Sequence, residues 1–514
     1  MDSETQSADA GFRRHLGLFD ATMLVAGAMI GSGIFIVSAD ISRDVGGAGW
    51  LMAVWALAGV MTVLGALSYA ELAAMMPRAG GQYVYLREAY GPLSGFLYGW
   101  TLFLVIQTGT IAAVAVAFAK FLGVLVPNLG TENVLLRVAD LNWRIVIPVP
   151  WHEPLVVWEL KQFTISAGQL VGTAIVVLLT VINCLGVVAG KWVQNVFTVA
   201  KTLALIVLIV VGLTLAADSD VIRSNWQNLW TGIDQTPRFE AARQWAAWSS
   251  GLAALMVVGG ALVGALFSSD AWNNVTFIAG EIDEPQKNIP RAMALGTGLV
   301  IVLYLLANVA YLCALPVDGD PQGTTPIERG IAHAKDDRVG TAVLEIVSPR
   351  FGVPAMAVAI MISTFGCVNG LILAGARLYY AMAQDGLFFR SVGELNSRRV
   401  PAIGLVLQGV WSTLLIFSGT YGQLLDYVIF AALLFYVLTV GGLFVLRVRD
   451  PGAHRPYRTF FYPWLPAAYV LLCTLVMLDL LVVRPLYTWP GLLIVLAGIP
   501  VYIIWVSRRP VVKN

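Results

Sequence analysis

The stretch GAMIGSGIFI at residues 27–36 interrupts an apolar segment with three glycines and a serine. Each glycine inside a helix costs about 0.5–1 kcal/mol relative to alanine, so we expect the helix to open here. The freed N–H groups around Gly31, Ser32 and Gly33 would lie at the positive end of a half-helix, where they suit a carboxylate. Freed carbonyl groups, such as that of Met29, would accept hydrogen bonds from an ammonium group. This chemistry predicts a site for a zwitterion, an amino acid.

A second interruption lies about 240 residues later, in ALFSSDAWNN at 265–274. Paired interruptions at corresponding positions are the best sequence indication of a transporter site between inverted repeats. We expect the carbonyls of Phe267 and Asp270 to join that of Met29 around the ammonium group. Phe267, Met29 and Ile30 would offer apolar surface to the substrate side chain, which favours a neutral L-amino acid. The alternative is that the glycines only allow close helix packing.

Lys201 and Asp270 are charges inside predicted spans. Lys201 lies about 15 Å of helix from each interface, at about 1.5 Å per residue, and its stem is too short to reach either. A charge at mid-span costs at least about 2.5–3.5 kcal/mol and marks function by default. The alternative is a lysine that reaches a water-filled crevice without a role. Asp270 either favours a cationic substrate side chain or caps free N–H groups of the break.

Three further charged residues, Glu71, Arg78 and Arg377, lie near the ends of predicted spans. They are candidate gate contacts or ordinary interfacial charges. The four histidines fall in different loops, so the sequence indicates no metal cluster, and we expect no cofactor and no catalytic residue.

The elements that must position these residues are membrane helices. Of 514 residues, 58% are hydrophobic and only 12% charged, where a soluble domain has roughly 25%. Segments of 18 or more apolar residues recur, which indicates a polytopic membrane protein embedded in the lipid bilayer. The predicted spans are 17–42, 49–76, 93–124, 165–187, 191–215, 247–280, 292–315, 353–384, 402–419, 424–447, 462–484 and 488–507.

The positive charges beside the spans indicate the orientation. Clusters of Lys and Arg fall on the side of the N-terminus, which predicts that both termini are cytoplasmic. The expected location is the plasma membrane of a prokaryote. The net charge of +1 argues against a nucleic-acid partner. The cysteines Cys184, Cys313, Cys367 and Cys473 all lie in or beside spans, so none is expected to form an extracellular disulfide.

Several motifs resemble those of one family. GAMIGSGIF, SYAELAAMMPRAGGQYVYLREAYGPLSGFLYGW (68–100) and FSSDAWNNVTFIAGEIDEPQKNIPRA (267–292) are similar to the amino acid–polyamine–organocation (APC) superfamily, and within it to the L-amino acid transporter (LAT) family. STFGCVNGLILAGARLYYAMAQDGLF (363–388) and RPYRTFFYPWLP (455–466) fit as well. The resemblance implies an all-α LeuT-like fold of about twelve helices, with discontinuous helices 1 and 6.

The resemblance also implies a division of the chain. A cytoplasmic tail at 1–15 precedes a ten-helix core at 16–447, which contains two inverted repeats at about 16–215 and 247–447. Helices 11 and 12 follow at 448–507, and a second cytoplasmic tail occupies 508–514.

Residue by residue, the resemblance places the substrate carboxylate on Ser32 and Gly33 and the amino group on carbonyls of the first and sixth spans. Phe267 matches an aromatic residue that closes the extracellular side, and Asn273 a polar residue that steadies the sixth-span break. The predicted substrate site is Met29, Ile30, Gly31, Ser32, Gly33, Phe267, Ser268, Asp270 and Asn273.

The same resemblance assigns Lys201 the place that sodium occupies in sodium-coupled relatives. Cys367 stands where a serine is expected, so Ser363 or Thr364 is a candidate for the eighth-span contact. The loop at about 125–164 lacks the cysteine by which animal members attach to a heavy subunit, so no disulfide-linked heavy subunit is expected.

These observations predict a carrier, not an enzyme, that exchanges neutral L-amino acids without sodium by alternating access. The alternative is a proton-coupled symporter of amino acids, including cationic ones, or of polyamines.

Overall fold

The computed structural model describes residues 14–147, 155–418 and 421–507. The predicted terminal tails therefore lie almost wholly outside the described residues. The described helices are, in chain order, α1 (Leu18–Met29), α2 (Gly33–Val45), α3 (Ala48–Met75), α4 (Gln82–Tyr90), α5 (Pro92–Thr101), α6 (Gln107–Leu125), α7 (Ala167–Cys184), α8 (Val187–Thr214), α9 (Ser219–Gln227), α10 (Pro237–Trp245), α11 (Ser250–Ser268), α12 (Pro285–Ala314), α13 (Pro326–Arg329), α14 (Val339–Val347), α15 (Gly352–Gln384), α16 (Ala402–Ser418), α17 (Tyr421–Arg449), α18 (Trp464–Val483) and α19 (Pro485–Ser507).

The helices form twelve membrane crossings. Eleven described segments are long and apolar enough to span a bilayer, and α16 is a shorter apolar helix. The prediction of an all-α membrane protein of about twelve helices is confirmed. The seventh crossing begins at Pro285 rather than near 292, because the proline and polar residues of its first turn conceal its start from a hydropathy pattern.

The first and sixth crossings are broken. In the first, α1 ends at Met29 and α2 begins at Gly33, with Ile30 in an extended conformation between them. In the sixth, α11 ends at Ser268 and the chain continues as 3-10 turns at Trp272–Thr276 and Ala279–Glu281. Ala271, which enters these turns, has φ 65°, a left-handed conformation that L-residues other than glycine seldom adopt. The fold therefore has discontinuous helices 1 and 6.

The third crossing contains a π-helical turn, Leu102–Ile106, between α5 and α6. Such turns are rare and occur frequently at functional sites. The turn ends beside Gln107, whose buried amide Nε2 donates to the carbonyl of Leu371 in α15 at 2.7 Å. It therefore brings a polar side chain into the centre of the bundle.

The connection between the third and fourth crossings forms a β-hairpin. Strands β1 (Val134–Ile147) and β2 (Leu155–Ser166) pair antiparallel, and the backbone of β2 lies beside α19. The sequence predicts only a long loop here, at about 125–164. Branched and aromatic residues recur in both strands, and these residue types favour strands.

The broken first crossing lies at the centre of the bundle. Helix α1 packs against α8, α12 and α15, while α11 packs against α2, α3 and α18. The side of the membrane on which residues 14–17 lie is called the N-terminal side below, and the other is called the far side.

Candidate substrate site

Carbonyl groups at the end of α1 are capped by side chains from three other helices. Lys201 of α8 is fully buried, and its Nζ donates to the carbonyls of Gly27 at 2.5 Å and Ile30 at 2.7 Å. An ammonium group suits this position because the C-terminal end of a helix carries a partial negative charge. Lys201 thus holds the first-span break open from the side of α8.

Helix α15 supplies a second set of donors. Ser363 Oγ lies 3.2 Å from the carbonyl oxygen of Ile30 and 3.1 Å from that of Gly31, and Cys367 Sγ donates to Ala28 at 3.2 Å. Thr364 donates instead to carbonyls of its own helix. Of the two candidates for the eighth-span contact, Ser363 is the one whose hydroxyl reaches the break. Adjacent residues on a helix point about 100° apart, and here Thr364 is turned away from these carbonyls.

A tyrosine connects the two breaks. Tyr304 Oη, on α12, lies 3.0 Å from the carbonyl oxygen of Met29 and 3.1 Å from that of Ser268. One hydroxyl hydrogen serves both oxygens, one in each broken crossing. We did not predict this residue from the sequence, since a single tyrosine in an apolar helix carries no pattern.

The amides that follow the break are buried. In the described part of the chain, neither Gly31 N–H nor Gly33 N–H has a recorded hydrogen-bond acceptor. A buried amide without an acceptor costs free energy comparable to a lost hydrogen bond. These groups lie at the N-terminal end of α2, where a helix favours an anion.

The glycines of the break also permit close packing. A Cβ atom on Gly33 would lie 2.1 Å from Ser268 Oγ and 3.0 Å from Ser268 Cα. On Gly27 it would lie 2.2 Å from Gln194 Nε2, and on Gly31 3.3 Å from Cys367 Sγ. Close packing therefore requires glycine here. This does not exclude a substrate role for the buried amides of the same residues, so the two interpretations of the motif are compatible.

The sixth-span break is held by polar contacts to other segments. Asn273 Nδ2 donates to Gln82 Oε1 at 2.9 Å, and Gln82 Nε2 donates to Thr439 Oγ1 at 3.0 Å. Asp270 Oδ1 accepts from the hydroxyl of Tyr436 at 2.5 Å. The bond from Tyr436, on α17, was not predicted.

A small cavity of about 10 Å³ lies beside Asp270, about enough room for one water molecule. Its lining mixes polar and apolar side chains, and the polar ones include Tyr98, Gln107, Thr110, Asp270, Asn274 and Tyr436. Gln107 and Tyr436 are site candidates that sequence reasoning missed. For Gln107 the available signal was a lone amide in an apolar span.

The remaining predicted site residues are buried near the breaks. Met29, Ile30 and Phe267 are all buried. The carbonyls of Met29 and Phe267 already accept bonds, from Tyr304 Oη and from Asp270 N. A carbonyl oxygen has two lone pairs, so each can accept a further donor such as an ammonium group.

The N-terminal side of the sixth crossing carries a buried ion pair. Arg377 Nε donates to Glu281 Oε1 at 3.1 Å, and both side chains are almost fully buried. The backbone N–H groups of His15 and Leu16 donate to the carbonyl of Glu281 at 2.9 and 3.1 Å. The backbone N–H of Asp283 donates in turn to the carbonyl of Leu16. The segment before α1 is thus tied to the end of the sixth crossing.

Two other candidate gate residues lie away from the breaks. Glu71 is fully buried and accepts from Arg447 at 2.9 and 2.6 Å and from Thr459 N at 2.7 Å, so it ties α3 to α17 and to the loop after it. Arg78 is exposed, and within the described residues its side chain makes no recorded hydrogen bond or ion pair.

On the same side, α4 is anchored to the end of α15. Tyr83 Oη donates to Asp385 Oδ2 at 2.6 Å, and Arg87 also contacts this carboxylate. Burial, followed by the bond to Asp385, raises the pKa of Tyr83 well above its usual value. The phenol therefore stays protonated and remains a donor.

The far side carries a second charged contact. Arg43, near the end of α2, donates to Asp337 Oδ1 at 2.8 Å and to the carbonyl of Ala332 at 2.6 Å. Lys120 Nζ, near the end of α6, lies 3.9 Å from Asp337 Oδ2. The loop before α14 thus contacts both the first and the third crossings.

Two broken crossings meet at one central point of a bundle of about twelve helices. Lys201 and Ser363 cap the break in the first crossing, and Tyr304 connects it to the break in the sixth, an arrangement typical of a membrane carrier. Among the described residues, no group of His, Cys, Asp and Glu could hold a metal ion. Residues 16–505 match the family model for amino acid permeases. The chain belongs to the amino acid permease family of the APC superfamily, and its relatives are transporters rather than enzymes.

Individual relatives are similar over almost the whole chain. The chain is 29% identical over 509 residues to the b(0,+)-type amino acid transporter 1 of Rattus norvegicus, which covers 98% of this chain and 90% of the relative. It is 29% identical over 510 residues to the large neutral amino acids transporter small subunit 2 of Mus musculus, and this alignment covers 98% of this chain and 84% of the relative. The human b(0,+)-type transporter is 28% identical over 501 residues, covering 97% and 89%.

One of these names conflicts with an expectation drawn from the sequence. The mouse relative is named as a small subunit, which makes it part of a larger assembly. The relatives therefore do not support our expectation that this chain has no disulfide-linked heavy subunit. The missing cysteine in the loop at 125–164 remains a property of the sequence.

Proposed function

We propose that this protein carries L-amino acids across the membrane by alternating access, as a sodium-independent exchanger. Membership of the amino acid permease family supports amino acid transport. Independence of sodium rests on one observation, the bonds from Lys201 Nζ to the carbonyls of Gly27 and Ile30. A fixed ammonium group takes the place that a sodium ion would need.

The two charged ends of the substrate go to different atoms in this proposal. The carboxylate accepts from the buried amides of Gly31 and Gly33, and the ammonium group donates to the carbonyls of Met29 and Phe267. Each partner is a backbone group exposed by a break, so the site selects the common part of all amino acids. A substrate that lacks either charged group leaves buried polar groups unpaired, at about 1–3 kcal/mol each.

Exchange follows from the need to satisfy those groups. Without substrate, the amides of Gly31 and Gly33 have no acceptor among the described residues. Moving an empty carrier through a closed state would keep these amides buried without partners. A bound substrate supplies the acceptor and lowers that barrier. Net uptake by an empty carrier is therefore slow, and transport appears as one-for-one exchange.

The experiment is uptake of radiolabelled leucine into proteoliposomes with and without internal leucine, in sodium and in choline buffers. The proposal expects strong stimulation by internal substrate and equal rates in both buffers. Sodium-driven accumulation into empty vesicles would refute the exchanger. Accumulation that follows an imposed proton gradient would favour the alternative, a proton-coupled symporter.

The substrate side chain is proposed to be neutral, with apolar contact from Phe267, Met29 and Ile30. A cationic side chain is the second candidate, because the carboxylate of Asp270 borders the polar cavity. Competition for labelled leucine uptake decides between them. Greater inhibition by alanine or leucine than by arginine supports neutral specificity. Greater inhibition by arginine, reversed in Asp270→Asn, supports the cationic candidate.

The architecture proposed for this cycle has two inverted repeats at about 16–215 and 247–447, with α18 and α19 outside them. The excess of Lys and Arg beside the spans supports a cytoplasmic N-terminal side. Cysteine-accessibility labelling of intact cells, at Arg78→Cys in a cysteine-free variant, tests that orientation. The relatives named above are mammalian, so the prokaryotic origin stays a prediction.

A further inference from the structure

Asp479 is a membrane-embedded carboxyl group that the proposed transport cycle does not use. It lies in α18, one turn before the helix ends at Val483. Both carboxyl oxygens are buried, and neither has a hydrogen-bond partner in the described part of the chain. Ionisable residues inside membrane spans are costly and are functional by default.

The carboxyl group packs directly against α11. A Cβ atom on Gly259 would lie 2.2 Å from Asp479 Oδ2, so the absence of a side chain at Gly259 makes room for the carboxyl group. On Gly260 it would lie 3.3 Å from Val483 Cγ1. Helix α11 contains no ionisable side chain. Asp479 therefore faces an apolar helix surface at close range.

The nearest described cation has another partner. Arg484, at the end of α18, acts electrostatically on Asp479, but its Nη2 donates to Asp44 Oδ2 at 2.9 Å. Asp44 also accepts from Arg238 Nε at 3.0 Å. Since neither oxygen of Asp479 has a hydrogen-bond partner in the described part of the chain, Arg484 attracts this carboxyl group without a hydrogen bond to it.

The other helices packed against α18 are α3, α17 and α19. Their charged residues are Glu71 in α3 and Asp426, Arg447 and Arg449 in α17, and α19 has none. Glu71 is bonded to Arg447 near the N-terminal side, away from Asp479. The side chain of Asp426 lies outside what the structure describes. Two buried phenols lie on these helices, Tyr69 on α3 and Tyr436 on α17, and a third, Tyr469, lies on α18 itself.

An ionised carboxylate in such a place is unfavourable. Transfer of an unpaired carboxylate into an apolar environment costs so much that the group takes up a proton instead. A protonated carboxyl group loses its charge and keeps the same shape, so it fits against Gly259 without a counter-ion.

We propose that Asp479 is a proton-binding site. Its carboxyl group is protonated while α18 packs on α11 as in this structure, and it releases the proton to water on the far side when this contact opens. Each pH unit above the pKa lowers the protonated fraction about tenfold. High pH on the far side therefore removes the packed state and slows the transport cycle.

Infrared difference spectroscopy of the purified full-length protein tests the protonation directly. The carbonyl stretch of a protonated carboxyl group should be present at neutral pH, lost in Asp479→Asn, and retained in the matched variant Asp270→Asn. A spectrum unchanged by Asp479→Asn overturns the proposal. This measurement does not depend on transport, so it stands even if the proposed exchange function fails.

Leucine exchange in proteoliposomes tests the consequence. The wild-type exchange rate should fall by up to about tenfold for each pH unit by which the far-side pH exceeds the pKa of Asp479. In Asp479→Asn the exchange rate should not depend on the far-side pH. Asp479→Glu should restore the pH dependence. Gly259→Ala disturbs the same contact without changing an ionisable group. This variant should lower the exchange rate at every pH and leave the dependence of that rate on far-side pH as in the wild type. A wild-type profile in Asp479→Asn contradicts the proposal.

Discussion

Gly33 and Ser268 meet so closely that the two broken crossings touch at their breaks. A Cβ atom on Gly33 would lie within 2.1 Å of Ser268 Oγ and 3.0 Å of Ser268 Cα. The second distance involves backbone, which a rotation of the serine side chain cannot relieve. The position of α2 relative to α11 therefore depends on the absence of a single methyl group.

Gly33→Ala is expected to separate the breaks, and to lower both the melting temperature and the affinity for leucine. Overpacking of this kind costs about 1–3 kcal/mol. The matched control is Gly298→Ala in α12, where a Cβ atom would have no neighbour within 4 Å. This substitution should leave the melting temperature unchanged or raise it slightly. Adding Ser268→Gly to Gly33→Ala should recover part of the loss. Wild-type binding by Gly33→Ala would contradict the close contact.

Lys201→Ala is expected to abolish exchange, because the carbonyl of Gly27 loses its donor and that of Ile30 keeps only Ser363. Loss of a hydrogen bond to a buried charged group costs about 1.5–3 kcal/mol or more. The control is Lys287→Ala, whose exposed pair with Glu284 is worth about 0–1 kcal/mol. Binding and exchange assays on both variants measure the difference. Equal activity of the two would show that the ammonium group has no role.

Ser363→Ala and Thr364→Val form a matched pair of neighbours. Ser363 faces the carbonyls of Ile30 and Gly31, whereas Thr364 bonds within α15. We expect Ser363→Ala to weaken leucine binding by about 1 kcal/mol, or roughly fivefold. Thr364→Val should bind leucine as the wild type does. Isothermal titration of the purified proteins with leucine gives both affinities. A larger loss of affinity in Thr364→Val would show that Ser363 is not the residue of α15 that faces α1.

Arg377→Met is expected to destabilise the protein by about 3–5 kcal/mol, since it leaves Glu281 buried without its cation. The double variant Arg377→Met, Glu281→Gln removes the charge as well and should recover much of that loss. Thermal unfolding in detergent measures both. Additive losses in the double variant would show that the two side chains do not interact.

The sequence predicted the larger features of the fold because they depend on composition and periodicity. Twelve apolar segments, two interruptions and one mid-span lysine can each be recognised in a single stretch of sequence. Tyr304 could not be found in this way, because its contact with Met29 joins residues 275 positions apart. Choosing between Ser363 and Thr364 required the rotation of α15 about its axis, which only the packed structure defines. The hairpin at 134–166 was missed because its alternation of residue types is weak.

Glu71 also has a consequence for the order of synthesis. It is bonded to Arg447, a residue 376 positions later in the chain. At about 5–20 residues per second, translation needs on the order of 20–75 s to cover that distance. During this interval α3 enters the membrane with a carboxylate whose cations have not yet been made. Until Arg447 is synthesised, protonation of Glu71 is the way to keep this carboxyl group neutral within α3.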